Sequence, residues 1–418
     1  MGKLIVNGHI PLHGQVSASG AKNAALPILA GVILAEGETE LTNVPRLADI
    51  VTMTSMLNAL GLRAELHAGN RMKIWNTRKV RHLAPYDLVT SMRASFFVAG
   101  PILARTGFAK VPLPGGCAIG TRPVDIHLKG FQALGAAISI EHGFVELKAK
   151  KLVGTRIRLD FPSVGATENI MMAGTLAEGT TIINNAAQEP EIVDLGNFLI
   201  SAGATIEGLG TPEITIHGTT KLRGTSHRVI PDRIEAGSLL IAGPITGGDV
   251  TVENAVANDL RPLLDKLIEA GVGIEEKPNN VIRAYAKGRF SGVRIETEPF
   301  PGFPTDMQAQ MMSLLTLANG PSIVAESIFE NRFMHANELM RMGANIKIEN
   351  RYAIIEGVPE LSGADVKITD LRAGAALILA GLAAKGSSGI YGLKHLKRGY
   401  ENLPEKLRQL GADITNEL

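Results

Sequence analysis

Two kinds of apolar run alternate along this chain. Long runs of about a dozen residues with almost no polar interruption, Ala24–Ala35 and Ala373–Ala384 foremost, predict helices that are buried all round. Short β-branched runs bounded by Gly or Asn, such as Thr180–Asn185 (TTIINN), Thr205–Glu207 and Asn345–Ile348, predict strands. A second set of helices, exemplified by Ala257–Ala270, carries charge on one side and apolar residues on the other. The segments Lys3–Ser19 and Tyr352–Thr369 read as strand pairs around a Gly turn, and Asn23–Ala35 and Arg372–Ala384 as the helices that follow such pairs.

These elements recur with a period of about 70 residues. A residue-Gly punctuation ends the second helix at Gly61, Gly135, Gly203, Gly271, Gly343 and Gly411, with spacings of 74, 68, 68, 72 and 68. A second series, Gly37, Gly107, Gly179, Gly248, Gly320 and Gly386, has spacings of 70, 72, 69, 72 and 66 and is expected to end the first helix of each unit. Glycine is expected at both places because a helix C-terminus turns most cheaply through a left-handed residue. Six units therefore fill the chain. The alternation of helices and short strands predicts an α/β or α+β fold. Two globular halves of three units each suit the length better than one solenoid, since single cores stop growing near ~250–300 residues.

Composition narrows the function. Of 418 residues, 45% are hydrophobic and 20% charged, a balance that excludes a disordered chain. Lys+Arg number 42 and Asp+Glu 41, a net charge of +1, which argues against a nucleic-acid partner held by phosphate neutralisation. Cys117 is the single cysteine, so no disulfide forms within the chain and a reducing compartment is expected. The start, Met1–Gly8, lacks the apolar core of a signal peptide, and the longest apolar runs fall short of the ~20 residues that span a bilayer. A soluble cytoplasmic protein without membrane insertion is the expectation. The ten histidines offer no metal motif: only His9 and His13 stand four apart, with Pro11 between them, and no metal or cofactor is expected.

Chemistry gathers at one register of the repeat, the start of each buried helix. There stand Lys22-Asn23, Arg93, Gly165-Ala166-Thr167, Asp232-Arg233, Thr305-Asp306 and Asp370-Leu371-Arg372. An acid at a helix start either caps the exposed N–H groups or does something else, and both readings stay open for Asp232, Asp306 and Asp370. A base there opposes the helix dipole, so Lys22, Arg93 and Arg372 point to a shared anionic ligand. The segment Pro112–Asp125 (PLPGGCAIGTRPVD) is too rich in Gly and Pro for a regular element and reads as a functional loop. Cys117 in it, with Arg122 five residues on, is expected to be exposed and reactive. A Cys–His pair with His127 is the rival reading of that loop.

Ser19-Gly20-Ala21-Lys22-Asn23-Ala24-Ala25-Leu26-Pro27, Pro114-Gly115-Gly116-Cys117, Arg122-Pro123-Val124-Asp125, Pro304-Thr305-Asp306-Met307-Gln308, Glu330–His335 and Thr369-Asp370-Leu371-Arg372 together resemble the UDP-N-acetylglucosamine 1-carboxyvinyltransferase family of enolpyruvyl transferases, over essentially the whole chain. The resemblance implies two similar domains, each an inside-out α/β barrel of three repeats with helices inside and sheets outside. It places one domain at 21–230, carrying the Cys117 loop, and the other at 231–418 plus 1–20. It implies transfer of the enolpyruvyl group of phosphoenolpyruvate to the 3′-hydroxyl of UDP-N-acetylglucosamine, with release of phosphate, at the start of peptidoglycan synthesis. By resemblance, Cys117 is the general acid, able to form a pyruvyl-phosphate adduct and to react with fosfomycin. Asp306 takes the hydroxyl proton, and Lys22, Arg93, Arg122 and Arg398 surround phosphoenolpyruvate with Arg372 beside them. Asn23, Pro123, Val124, Asp125, Ile126, Ser163, Val164, Gly165 and Ile328 are implied substrate contacts. Arg332 and Asp370 support them, with Glu189 and Glu191 behind. Phe161 and Ala48 depart from the family, some of whose members carry Lys there. The related transferases acting on shikimate 3-phosphate typically show Gly-Ser-Lys-Ser at the first helix, and they lack a comparable Cys loop. A non-catalytic relative would be expected to have lost Lys22, Cys117 or Asp306.

Overall fold

The computed structural model describes residues 2–77, 79–113 and 124–417, with the side chain of Arg93 left aside. The chain divides into two compact units. One is built from the residues up to Ser19 together with those from Pro231 onward, the other from the stretch between Gly20 and Ile230. Each has its own apolar core.

The unpatterned apolar runs are the buried helices. Every residue of Ala373–Ala383 and of Gln308–Leu315 is buried, as is every residue of Arg233–Ile245 except Arg233 itself. In the other unit Lys22–Gly31, Ala99–Thr106 and Val164–Gly174 fill the same role. Strands lie outside them with one face inward: Asp249–Glu253 alternates buried Val250 and Val252 with half-buried neighbours. Both helices given bounds in advance shift: Arg372–Ala384 is Ala373–Ala383, and Asn23–Ala35 is Lys22–Gly31, which tightens into a 3-10 turn, Val32–Leu34, before the strand Ala35–Thr42.

The second helices end as the repeat predicts. Gly61, Gly135, Gly203, Gly271, Gly343 and Gly411 all have φ between 91° and 111°. At each, the glycine N–H reaches a carbonyl three residues back and the next N–H reaches one five back, as in Gly61 to Asn58 and Leu62 to Leu57. These paired bonds consume the orphan carbonyls of the last turn. The other glycine series needs correcting. Of it, Gly107 directly caps a described helix, Ala99–Thr106. Gly179, Gly320 and Gly386 instead open the strands that follow, with φ of 85°, 87° and 92°. Gly37 lies inside a strand, and at the fourth mark the left-handed residue is Gly247 rather than Gly248. Gly248 is held to glycine by crowding, since a Cβ would stand 2.0 Å from the Leu12 carbonyl oxygen.

The expected strand pairs at Lys3–Ser19 and Tyr352–Thr369 do not form as hairpins. In each, the two strands go to different sheets. Lys3–Asn7 lies between Ser387–Tyr391 and Asp413–Glu417, antiparallel to both, while His13–Ser17 runs parallel to Asp249–Glu253. Tyr352–Glu356 pairs with Pro321–Ala325 and Asn345–Glu349, and Asp365–Lys367 pairs with Ser387–Tyr391. A typical sheet thus has one incoming parallel strand and an antiparallel trio, as in Arg156–Arg158, Thr180–Asn184, Glu213–His217 and Thr205–Glu207. The sheets of the described residues stay separate and open, six around two sets of helices. The start of the chain completes the sixth repeat and opens the fourth, and Leu222–Arg228 returns to Ala35–Thr42 to close the first. Among the described residues no helix is long and apolar enough to cross a membrane.

Candidate active site

In the unit that starts at Pro231, all three buried helices begin at an acid, and the three acids do different work. Asp232 caps Arg233–Ile245: its Oδ1 accepts from the N–H of Ile234 (2.9 Å) and Glu235 (3.0 Å). Asp370 does the same for Arg372 (2.8 Å) and Ala373 (3.2 Å). Asp306 leaves its carboxylate out of capping. Its Oδ1 accepts from Arg332 Nη2 at 2.7 Å, and its Oδ2 from Arg372 Nε and Nη2 at 3.0 and 2.8 Å.

The two guanidinium groups are buried, with side chains 4% and 1% exposed, whereas the Asp306 side chain keeps 24% exposure. Burial disfavours the Arg372 charge, but Asp306 beside it more than compensates and raises its pKa. Nη1 of Arg332 and Nη1 of Arg372 have no hydrogen-bond partner among the described residues. Two buried arginine donors stand beside a partly exposed carboxylate, which can accept a proton. Arg372 thus stands at its helix start because a protein carboxylate offsets its charge, a cause that the register argument alone did not contain.

Glu326, which the sequence reading missed, holds this turn. It is buried, and its carboxylate accepts from Thr305 Oγ1 (2.8 Å), Thr297 Oγ1 (2.9 Å) and the N–H groups of Ile328 (2.9 Å) and Phe329 (3.1 Å). One acid therefore fixes both the Asp306 turn and Ile328. His335 is buried in the same unit, with no well-formed hydrogen bond to either ring nitrogen among the described residues, and burial pushes its pKa down to about 4, so it is neutral at pH 7. Arg398, half-buried, stands on the short helix Leu396–Gly399.

In the unit between Gly20 and Ile230, Lys22 opens its helix from a buried position, with Nζ 3.9 Å from Asp49 Oδ2 on the next helix, Ala48–Ala59. Asn23 follows, half-buried. Ser163 caps Val164–Gly174 by accepting from Ala166 N–H at 3.4 Å. Val164 and Gly165 begin that helix; a Cβ on Gly165 would meet His127 and Phe97 at 3.2 Å. Val124 precedes Asp125–Ala133, in which Asp125 is exposed and Ile126 half-buried. Ala48 and Phe161, the two departures from the family, are both exposed. His127 is buried against Phe96, and its Nδ1 accepts from Asn169 Nδ2 at 3.0 Å. Cys117, Arg122 and Pro123 lie outside the described residues, as does the Arg93 side chain.

Glu168 was also missed. It lies in the buried helix Val164–Gly174 without a hydrogen-bond partner for either oxygen. Burial, and then the charges of Glu191 and Glu189, raise its pKa well above the usual carboxyl range. Glu189 caps, and Glu191 starts, the helix Pro190–Ser201. The signal was present in the sequence as a lone acid within an apolar run.

No group of three or more His, Cys, Asp or Glu among the described residues could hold a metal ion. The chain matches the EPSP synthase (3-phosphoshikimate 1-carboxyvinyltransferase) family over residues 6–407. It is 56% identical to UDP-N-acetylglucosamine 1-carboxyvinyltransferase 2 of Carboxydothermus hydrogenoformans, over 99% of both chains. The chain belongs to the UDP-N-acetylglucosamine 1-carboxyvinyltransferase family. It is 54% identical, again over 99% of each chain, to UDP-N-acetylglucosamine 1-carboxyvinyltransferase 1 of Caldanaerobacter subterraneus subsp. tengcongensis. Membership makes it a transferase. Among solved structures, the enolpyruvyl transferase NikO of Streptomyces tendae superimposes with a TM-score of 0.89 at 25% identity, covering 99% of this chain and 98% of that one. EPSP synthase of Acinetobacter baumannii, 19% identical over the full length of both, has a TM-score of 0.78 and shares the fold. The broader family name therefore marks common architecture, while identity above half marks the UDP-N-acetylglucosamine branch.

Proposed function

We propose that this chain moves the enolpyruvyl group of phosphoenolpyruvate onto the 3′-hydroxyl of UDP-N-acetylglucosamine, releasing phosphate, in the cytoplasm and as the entry to peptidoglycan synthesis. The observation that carries this reading is Asp306: a partly exposed carboxylate held between two buried arginines. An ionised carboxylate accepts a proton, and the adjacent Nη1 donors suit the anionic end of a reactant.

The reaction divides into an addition and an elimination. In the addition, Cys117 gives a proton to the methylene carbon of phosphoenolpyruvate, the sugar oxygen bonds to the neighbouring carbon, and the hydroxyl proton passes to Asp306. In the elimination, the carbon–oxygen bond to phosphate breaks, the new methyl group returns a proton to the Cys117 thiolate, and the proton held by Asp306 leaves with phosphate, restoring the double bond. The proton transfer to Asp306 accompanies formation of the carbon–oxygen bond. Lys22, Arg93, Arg122 and Arg398 offset the phosphate and carboxylate charges. Asn23, Val124, Asp125, Ile126, Ser163, Val164, Gly165 and Ile328 position the nucleotide sugar. Phe161, exposed where relatives carry Lys, offers a face for the base instead of a charge.

Phosphate release tests this directly. The protein with phosphoenolpyruvate should release phosphate on adding UDP-N-acetylglucosamine and not on adding shikimate 3-phosphate; the reverse preference overturns the reading. Cys117→Ser should abolish most turnover while the melting curve stays that of the parent, and Cys117→Asp should retain part of it. Intact-mass measurement should find fosfomycin attached to Cys117 and absent from Cys117→Ser.

A further inference from the structure

Behind Asp306 lies a buried polar chain that the reaction as written does not use. Gln310 Nε2 donates to the Asp306 backbone carbonyl at 3.0 Å and to the Tyr400 hydroxyl at 2.8 Å. Tyr400 OH lies 3.0 Å from Ser238 Oγ, and Ser238 Oγ donates to the Ile234 carbonyl at 2.8 Å. Gln310 Nε2 also reaches Ser238 Oγ at 3.2 Å, and one set of directions fits all these acceptors. Carbonyls only accept, so the Gln310 amide nitrogen faces Asp306, and the one Ser238 proton goes to Ile234. The Tyr400 proton therefore goes to Ser238, and the chain runs Gln310 to Tyr400 to Ser238 to Ile234. Its three side chains are buried and come from three different elements.

Tyr400 reaches the catalytic pair from a second side. The Arg372 guanidinium carbon stands 5.4 Å from the centre of its ring, a cation–π contact in a buried place. One residue thus touches both supports of the Asp306 carboxylate: its ring backs Arg372, and its hydroxyl fixes the glutamine that holds the Asp306 main chain. It is also the C-cap of Leu396–Gly399, the helix that carries Arg398. Its own hydroxyl stays protonated, because burial raises its pKa above the normal value.

We infer that Tyr400 is a positioning residue for enolpyruvyl transfer, setting the orientation of Asp306 and Arg372 through Gln310 and its ring face without touching substrate. The inference rests on the reading of Asp306 as base. It predicts that the hydroxyl governs turnover and the ring governs the ionic setting of the carboxylate.

Three proteins test it: the parent, Tyr400→Phe and Tyr400→Leu, each assayed for phosphate release over pH 5–9 and for melting. Tyr400→Phe removes the hydroxyl that links Gln310 to Ser238 and leaves Gln310 Nε2 with the longer 3.2 Å bond to Ser238 Oγ besides the Asp306 carbonyl; kcat should fall about tenfold, equivalent to about 1.4 kcal/mol, with KM for both substrates within about twofold of the parent. Tyr400→Leu removes the ring as well. It should lower kcat further as Arg372 loosens its hold on Asp306. A readout free of activity is the Arg372 Nε–H signal in protein labelled with 15N-arginine, which should shift in Tyr400→Leu and hold in Tyr400→Phe. Parent kcat in a Tyr400→Phe protein that melts normally would overturn the inference, as would a kcat loss that merely tracks the folded fraction. If Tyr400→Leu does not fold, Tyr400→Phe decides alone. An Asp306→Asn protein as active as the parent sinks the base reading instead, so the two failures are told apart.

Discussion

The two units repeat one fold three times each and carry opposite chemistry at the same register. In the unit from Pro231 the buried helices start at Asp232, Asp306 and Asp370; in the other they start at Lys22, Arg93 and Ser163. The helices form either way because their stability comes from the buried body, not from the first residue. That leaves the register available for chemistry. Where it is acidic, Asp232 and Asp370 are spent on capping, and Asp306 is kept from it by two arginines distant in sequence. Where it is basic, Lys22 opposes the helix dipole and has Asp49 as nearby counter-charge. A residue standing against its local preference, or excused from its local duty, is the one to examine for function.

The strongest way to break this comparison is to set Asp306 against Asp232. Asp306→Asn should lower kcat by roughly a thousandfold in the phosphate-release assay. It also leaves two buried guanidinium groups short of counter-charge and should cost about 3–5 kcal/mol in denaturant unfolding. Equal kcat losses in Asp306→Asn and Asp232→Asn would erase the distinction between the three acids. Next, Lys22→Ala should cut kcat/KM for phosphoenolpyruvate by about thirtyfold or more, the effect of truncating one member of a buried charge pair. Nucleotide-sugar affinity measured by calorimetry should stay near that of the parent.

The units should also respond to pH in opposite senses. Glu168 titrates higher when folded than unfolded, so its contribution is complete below the unfolded value near 4.5 and is lost as pH rises toward its folded value. His335, at about 4 when folded against 6.5 unfolded, contributes above pH 6.5 and loses that contribution as pH falls toward 4. Inside each window the slope is about 1.4 kcal/mol per pH unit. Glu168→Gln should therefore gain stability relative to the parent as pH rises above 4.5, while amide protection around His335, after correction for the intrinsic exchange rate, should fall below pH 6. A Glu168→Gln protein with the parent's pH dependence would mean that Glu168 is ionised in the fold. The smallest expected effect is Asp232→Ala, a lost cap worth about 1 kcal/mol in denaturant unfolding, with kcat changed less than threefold.

Some of this was legible along the chain. The six glycines from Gly61 to Gly411 were readable because a helix C-cap is a local event, decided within six residues. The buried helices were readable for the same reason, since a dozen apolar residues have no exposed face to offer. The strand partners were not. Lys3–Asn7 and His13–Ser17 look like a hairpin, yet each completes a sheet whose other strands lie hundreds of residues away. At the site, the register singled out Asp306, Arg372, Asp232 and Asp370 as a group but could not divide them. Glu326, Gln310 and Tyr400 gave no sign at all, because a buried polar residue is recognisable only once its partners are.

The sequence by itself determined the period, the helix ends and the charged register, together with the motifs that tie the chain to its family. These are short-range properties, fixed by backbone conformation and by the apolar character of neighbouring residues. Tertiary structure alone decided which acid caps and which stays available, since Arg332 and Arg372 lie 26 and 66 positions from Asp306 and meet it only when their helices pack. It also decided that Glu168 and His335 sit in the dry interior, where the cost of charge, not the identity of the side chain, sets their protonation.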